Sequence, residues 1–215
     1  MKDFYYLHLS KASGRFFRRY VLDDLIVLTR HADNNMKYLW PETPVDDWTH
    51  HGWHDLISEN TYLICSLRDP VEVIISYLMH HGGINNKNDF FSRVRLNDNI
   101  QSKGFIRWED NMVNPEAKVD FNKDLILSRL NRVNLVLDSK DINIKNYNKI
   151  REKIYSDLSI PVISYPEKED TTEFKTPGVQ EFYDSLTEEE INIIKEINYM
   201  DVELYEAAKS LFFPI

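Results

Sequence analysis

The chain has 215 residues, of which 42% are hydrophobic and 28% are charged. A chain of this size buries roughly 70% of its unfolded surface, so the composition predicts one folded domain over residues 1–215 and excludes a disordered or fibrous protein. The apolar runs fall far short of the roughly 20 residues that a membrane span needs. Residues 1–9 also lack the features of a secretory signal. We therefore expect a cytoplasmic protein with no membrane partner.

The formal net charge of −9 comes entirely from the last quarter of the chain. Residues 166–215 contain thirteen acidic and four basic side chains, whereas residues 1–165 contain 22 of each sign. Nucleic-acid binding normally needs a broad basic face, which this distribution does not supply. Residues 1–20 are locally basic, with five cations against Asp3, so this end of the chain could bind an anion.

The first elements indicate a strand, a tight turn and a helix. Phe4–Leu9 is short, aromatic and uninterrupted, which is typical of a buried strand, and residues 10–14 have the composition of a turn. Apolar residues then recur at helical spacing over residues 16–25. Residues 26–28 suggest a further strand.

A second strand, loop and helix unit follows an irregular stretch at residues 33–60. Tyr62–Leu67 predicts a buried strand, and we expect its Cys65 to be a buried thiol. Asp69 is a good N-cap and Pro70 a good first helical residue. The apolar spacing from Val71 to Leu78 then predicts a helix with one buried face.

The rest of the chain repeats this pattern less clearly. In order, we expect mixed short helices and loops at residues 82–123, a strand at 133–137, a helix at about 145–158, a loop at 159–180 and a last helix that begins with the capping box Thr187–Glu190. Repeated strand, loop and helix units predict an α/β fold with a central, mainly parallel sheet flanked by helices.

Two predicted loops lie where such a sheet binds ligands. Open parallel sheets bind ligands beyond the carboxyl ends of their strands, and the loops at residues 10–15 and 68–70 both follow predicted strands. In the first loop, free backbone N–H groups and the start of a helix could face a phosphate or sulfate, and Lys11 adds a cation. The glycine-rich loop ending in Gly-Lys-Ser/Thr is missing from the sequence, which argues against an ordinary ATP or GTP enzyme.

The segment Leu67-Arg-Asp-Pro-Val-Glu-Val-Ile-Ile-Ser76 has the pattern Arg-Asp-Pro, five residues, Ser. It resembles the 3′-phosphate segment of sulfotransferases that use 3′-phosphoadenosine 5′-phosphosulfate (PAPS). His8-Leu-Ser-Lys-Ala-Ser-Gly-Arg-Phe-Phe17 is similar to their 5′-phosphosulfate loop. Residues 174–177 and 197–208 resemble the closing segment of the heparan sulfate and uronyl 2-O-sulfotransferase group. The resemblance implies a P-loop-like nucleotide-binding core and a metal-free transfer of a sulfuryl group to a hydroxyl.

The resemblance also implies a role for each matching residue. Lys11 would contact the phosphosulfate, Arg68 and Ser76 would hold the 3′-phosphate, and a basic loop with Lys175 and Thr176 would lie near the nucleotide. The residues that would wrap the 5′-phosphate are Ala12, Ser13, Gly14, Arg15 and Phe16. The last two stand where the family usually has Thr or Ser, so donor binding could be weaker or altered unless Ser13 or Arg15 compensates.

Sulfuryl transfer needs a base for the acceptor proton, and histidine has a suitable pKa. His50-His-Gly-Trp-His54 precedes the second strand, where the 2-O-sulfotransferase group carries its catalytic histidine beside a glycine. We favour His51, with His50 and His54 as close competitors. A solvated loop is the alternative, and a zinc site at His50 and His54 is another, although the sequence offers no evident third ligand.

The acceptor is predicted only as a class. Trp40, Trp48, Trp53 and Trp108 fall in the regions that match the family loosely, where aromatic rings stack on sugars, although core packing is the alternative for each. We therefore expect a saccharide acceptor, with residues 82–123 on the acceptor side. Two other functions stay open, namely a P-loop-type kinase and a catalytically silent protein that binds a saccharide or nucleotide. The oligomeric state is not predicted.

Overall fold

The computed structural model describes residues 3–7, 9, 12, 52–54, 57–106, 120–143, 145–160 and 176–214. The helix predicted over residues 16–25 and the strand suggested at residues 26–28 lie outside this part of the chain. So does most of the turn predicted between them and the first strand.

Within the described residues, three parallel strands form an open sheet in the order β1, β2, β3. Their bounds are Phe4–Leu7 for β1, Tyr62–Leu67 for β2 and Leu135–Asp138 for β3. Leu7 pairs with Cys65, and Leu67 pairs with Asp138, so all three strands end at the same edge of the sheet. This confirms a mixed α/β fold with a parallel sheet.

Helices flank the sheet on both sides. Their bounds are α1 Pro70–His80, α2 Lys87–Leu96, α3 Ile100–Ile106, α4 Lys123–Asn131, α5 Tyr147–Leu158, α6 Val179–Asp184, α7 Glu188–Ile197 and α8 Tyr199–Ala208. None of the helices in the described part of the chain combines the length and apolar character that crossing a bilayer requires.

The two faces of the sheet bury different helices, because successive side chains of a strand point to opposite sides. Phe4, Tyr6 and Ile64 pack with Ile150 and Ile154 of α5 on one face. On the opposite face, the alternate strand residues pack with apolar side chains of α3, α4 and α8. A third apolar cluster joins α1, α2, α6 and α7. Cys65 is fully buried in β2, as predicted, and burial raises the pKa of its thiol.

Two strands differ by a few residues from their predicted bounds, for local reasons. β1 ends at Leu7 because the Leu9 amide donates a 3.0 Å hydrogen bond to the Leu7 carbonyl, a tight turn that takes the chain out of the sheet. β3 begins only at Leu135, since the Val133 amide still bonds to Leu130 in the last turn of α4.

The last predicted helix is two helices, α7 and α8, which meet at Asn198. The side chain of Asn198 donates to the Ile194 carbonyl at 2.9 Å and accepts from the Asn99 amide at 2.9 Å. A buried Asn at this place therefore ends one helix and ties the next one to the start of α3. The Thr187 capping box that opens α7 is confirmed.

Candidate functional site

Arg68 is the first residue after β2, and its main chain and side chain have separate partners. Its Nε donates a 2.8 Å hydrogen bond to Glu72, one helical turn later. Its Nη atoms make no hydrogen bond to the described residues. The Gln101 side chain bonds both the N–H and the C=O of Arg68, at 2.9 and 2.8 Å. The Arg68 side chain is 24% exposed, so it is accessible to a ligand at this edge of the sheet.

The predicted start of α1 is confirmed. Asp69 accepts hydrogen bonds from the amides of Val71 at 2.9 Å and Glu72 at 3.2 Å, and Pro70 is the first helical residue. An Asp cap satisfies amides that have no partner inside the helix. The cap thereby fixes the direction in which α1 leaves β2.

Ser76 lies one helical turn after Glu72 on α1, because positions four residues apart share a helix face. Its side chain is almost completely buried, at 1% exposure. The Ser76 hydroxyl donates a 3.3 Å hydrogen bond to the hydroxyl of Thr176, one hundred residues further along the chain. The structure thus brings together residues from two of the three segments that carry the family resemblance.

The chain that leaves β1 returns to the end of β2. The Ser66 hydroxyl donates a 2.5 Å hydrogen bond to the carbonyl of Ala12, and Ala12 is fully buried. Ser66 is two residues before Arg68, so the described part of the first predicted loop lies beside the start of the second. Lys11, Ser13, Gly14, Arg15, Phe16 and Lys175 are outside the described residues, and their predicted roles stay predictions.

Of the three candidate histidines, the structure describes His54, which is partly buried and whose carbonyl accepts from the Ile57 amide at 3.0 Å. His50 and His51 lie outside the described residues. The neighbouring Gly52 is well anchored, because its carbonyl accepts a 2.8 Å hydrogen bond from the Tyr5 hydroxyl. Trp53 donates its amide to Gly104 at 2.7 Å. The choice among the histidines stays open.

Trp53 packs in the core instead of lining a surface. It is 8% exposed, and the guanidinium groups of Arg129 and Arg132 lie 4.8 and 5.1 Å from the ring centroid. Cation–π contacts of this kind hold the ring in place. The structural alternative for this tryptophan is therefore confirmed, while Trp40, Trp48 and Trp108 are outside the described residues.

The end of β3 adds a group of polar residues that sequence reasoning missed. Asp138 is buried, accepts from the Tyr205 hydroxyl at 3.0 Å, and pairs with the exposed Lys140 at 2.9 Å. The hydrogen bond to Asp138 raises the pKa of Lys140. Burial first, and then the Asp138 charge, raise the pKa of the Tyr205 hydroxyl. The position of Asp138 directly after a predicted strand was the available signal.

Three acidic side chains at this edge have partners among the described residues. Asp69 caps α1, Glu72 holds Arg68, and Asp138 holds Lys140 and Tyr205. Their charges extend to α6, since burial and then the nearby Asp69 and Glu72 charges raise the pKa of Tyr183. An anionic ligand that contacts Arg68 or Lys140 would therefore meet a cation that already has a carboxylate neighbour.

No family model, no curated protein and no solved structure matches this chain. The resemblance to sulfotransferases therefore stays a prediction, carried by the residues described above.

Proposed function

We propose that this chain is a sulfotransferase with a P-loop-like core, which moves a sulfuryl group from PAPS to a hydroxyl of a saccharide acceptor. The observation that carries the proposal is the hydrogen bond between Ser76 and Thr176. The family resemblance assigns these two residues independently to the donor nucleotide, and they lie next to each other. Their sequence separation makes this contact a tertiary one, which no local pattern imposes.

The face of α1 offers the groups that a 3′-phosphate needs. Ser76 and Thr176 supply hydroxyls that can turn to donate to phosphate oxygens. Ser76 is six positions after Pro70 in the helix, a rise of about 9 Å, and the Arg68 side chain can span much of this distance. A guanidinium can bind a phosphate through its Nη atoms while its Nε stays on Glu72.

The convergence of the first two loops supports one shared nucleotide site. Ala12 contacts Ser66 at the end of β2, and Arg68 follows two residues later. A single nucleotide with phosphates at both ends could thus meet the β1 loop with its 5′-phosphate and Arg68 with its 3′-phosphate. The shared carboxyl edge of β1 and β2 supports this arrangement, because folds with open parallel sheets bind ligands at that edge.

The proposed chemistry is an in-line transfer. The acceptor oxygen forms a bond to sulfur as the bond between sulfur and the 5′-phosphate oxygen breaks, and the acceptor proton passes to a histidine base. We assign the base to His51, with His50 and His54 as the alternatives. Lys11 stabilises the charge that develops on the leaving phosphate oxygen.

Titration calorimetry with the spent donor, 3′-phosphoadenosine 5′-phosphate, tests the proposal against ATP. We expect the bisphosphate to bind more tightly than ATP. Arg68→Ala should weaken it by about 10- to 100-fold, the loss of hydrogen bonds between two charged groups. Ser76→Ala should weaken it by about tenfold, the lower end for a hydrogen bond to a charged group.

Arg95→Ala and Ser92→Ala are the matched controls, because both are exposed residues on α2. They should leave the affinity unchanged. Binding of ATP without binding of the bisphosphate would refute the proposal and favour the kinase alternative. Transfer of labelled sulfuryl from PAPS to a panel of saccharides then tests the acceptor class and separates an enzyme from a silent binding protein.

A further inference from the structure

Gln101 contacts the main chain of Arg68 in a way that sequence reasoning did not anticipate. Its side-chain oxygen accepts from the Arg68 N–H at 2.9 Å, and its side-chain nitrogen donates to the Arg68 C=O at 2.8 Å. Gln101 is 0% exposed. A buried amide that satisfies both polar groups of one residue restricts the rotation of that residue's main chain.

Gln101 itself is fixed from the opposite side. Its own amide donates to Asp201 at 3.0 Å, and the amide of Ser102 donates to the other oxygen of Asp201 at 2.7 Å. In return, Asn99 accepts from the amides of Met200 and Asp201, at 2.9 and 3.2 Å. The starts of α3 and α8 thus cap each other in a buried network, and Gln101 connects that network to Arg68.

The place of this contact in the fold indicates that it restrains Arg68 as well as packing α3 against the sheet. The β2–β3 ladder ends at the pair Leu67 and Asp138, so Arg68 is the first residue beyond it. Among the described residues, its side chain bonds to Glu72 through Nε, and the side chain of Glu72 is itself 40% exposed. The main-chain contact with Gln101 is therefore a restraint on the point from which the guanidinium extends.

We propose that Gln101 is a positioning residue, which orients the main chain of Arg68 so that its guanidinium selects nucleotides with a 3′-phosphate. This inference rests on the proposed function and deepens it. A charged hydrogen bond depends on angle as well as distance. Loss of the contact should therefore reduce the preference for the 3′-phosphate and leave recognition of the remainder of the nucleotide intact.

The test measures a ratio of affinities in the full chain. Dissociation constants are measured by calorimetry for adenosine 5′-phosphate and for 3′-phosphoadenosine 5′-phosphate, and the first is divided by the second. Gln101→Met keeps the volume of the side chain and removes both hydrogen bonds. Gln101→Asn keeps the amide but is one methylene too short to reach Arg68, and it serves as the second variant.

Asn99→Ala is the matched control, because Asn99 belongs to the same buried network and its side chain bonds to residues of α8 and to the residues that flank the helix starts, at Asp98, Ile197, Met200 and Asp201. Thermal unfolding of each variant sets the temperature for calorimetry, well below the transition. A merely structural role would lower the stability of all three variants and leave the ratio of affinities unchanged.

We expect both Gln101 variants to lower the ratio by about five- to tenfold, because a misaligned guanidinium makes a weaker charged hydrogen bond to the 3′-phosphate. Asn99→Ala should leave the ratio unchanged. In the Arg68→Ala background, Gln101→Met should have no further effect on the ratio. A ratio that falls with Arg68→Ala but not with Gln101→Met or Gln101→Asn overturns this inference alone. A wild-type chain that does not distinguish the two nucleotides overturns the proposed function, and the inference with it.

Discussion

The hydroxyl of Ser66 donates to the carbonyl of Ala12 at 2.5 Å and lies 2.7 Å from the hydroxyl of Tyr6. Because the Ser66 proton points to Ala12, the Tyr6 hydroxyl must be the donor in the second hydrogen bond. All three residues are buried. This short chain of hydrogen bonds fastens the segment after β1 to the end of β2, beside Arg68.

Removal of the Ser66 hydroxyl should loosen that segment. Ser66→Ala leaves the Ala12 carbonyl and the Tyr6 hydroxyl buried without this partner, at a cost of about 1–3 kcal/mol in the free energy of unfolding. We also expect weaker binding of adenosine 5′-phosphate, since the segment carries the proposed 5′-phosphate loop. Denaturant unfolding and calorimetry measure the two effects.

Tyr6→Phe is the control for Ser66→Ala. It removes one hydrogen bond from the same chain but leaves the link between Ser66 and Ala12 in place, so it should lower stability without changing nucleotide affinity. Equal nucleotide affinities in both variants and in the wild type would show that the hydrogen bond between Ser66 and Ala12 does not contribute to nucleotide binding.

Substitutions of the two proposed catalytic residues, His51 and Lys11, should have different effects on turnover and on nucleotide affinity. His51→Ala should lower kcat by about 10²- to 10⁴-fold, the usual contribution of a general base, and leave the affinity for 3′-phosphoadenosine 5′-phosphate unchanged. Lys11→Ala should lower both kcat and donor affinity, because Lys11 contacts the phosphosulfate in the proposal. Turnover of labelled PAPS and calorimetry provide the measurements.

The same assay decides among the histidines. His50→Ala and His54→Ala should keep most of the turnover if His51 is the base. Loss of turnover in one of these and not in His51→Ala moves the assignment to that residue, and equal turnover in every variant contradicts a histidine base in this segment.

Asp201 should make stability depend on pH. Burial raises the pKa of Asp201 to about 6, although the hydrogen bonds from Gln101 and Ser102 oppose that shift. Between pH 4 and pH 6 the folded state retains a proton that the unfolded state has lost, so the free energy of unfolding falls as pH rises. A pKa shift of this size corresponds to a fall of about 3 kcal/mol in the free energy of unfolding across the interval.

Urea unfolding between pH 4 and pH 7 measures this dependence. Asp201→Asn, which cannot ionise, should show a smaller decline over the interval than the wild type. Glu203→Gln removes an exposed carboxylate from the same helix and corrects for the loss of one charge. Parallel curves for the wild type and Asp201→Asn would show that Asp201 does not titrate in this range.

The close approach of Gly52 and Gly104 predicts that neither position tolerates a side chain. A Cβ at Gly52 would lie 2.5 Å from the Gly104 carbonyl oxygen, a main-chain atom that cannot turn away. We expect Gly52→Ala to cost about 3 kcal/mol, at the upper end for overpacking. At Gly104 the Cβ would meet the Leu9 side chain, which can move, so Gly104→Ala should cost less.

Gly83→Ala is the contrast. Gly83 has φ +72° and no heavy atom within 4 Å of an added Cβ, so the change should cost only the backbone strain, about 1 kcal/mol. Thermal unfolding ranks the three variants. A smaller loss for Gly52→Ala than for Gly83→Ala would contradict the packing of Gly52 and Trp53 against α3.

The parts of the fold that could be predicted from the sequence depend on neighbours in the chain. The strand Tyr62–Leu67, the Asp69 cap and the Thr187 capping box were all found where they were predicted. Each depends on residues within about four positions, because side-chain periodicity and capping hydrogen bonds are local. The candidate nucleotide residues Arg68 and Ser76 were likewise identified from a short motif that spans the end of β2 and the first turns of α1.

The contacts that give those residues a site are not local. Ser76 meets Thr176 across 100 residues, Ser66 meets Ala12 across 54, and Asp201 meets Gln101 across 100. Gln101 gave no signal in the sequence, since it lies in a polar stretch without clear periodicity and its role comes only from the main chain of Arg68. Local chemistry thus determined which groups this protein carries at each loop, and tertiary packing decided which of them are buried together, because the partner of a buried polar group is set by the fold and not by its neighbours in the chain.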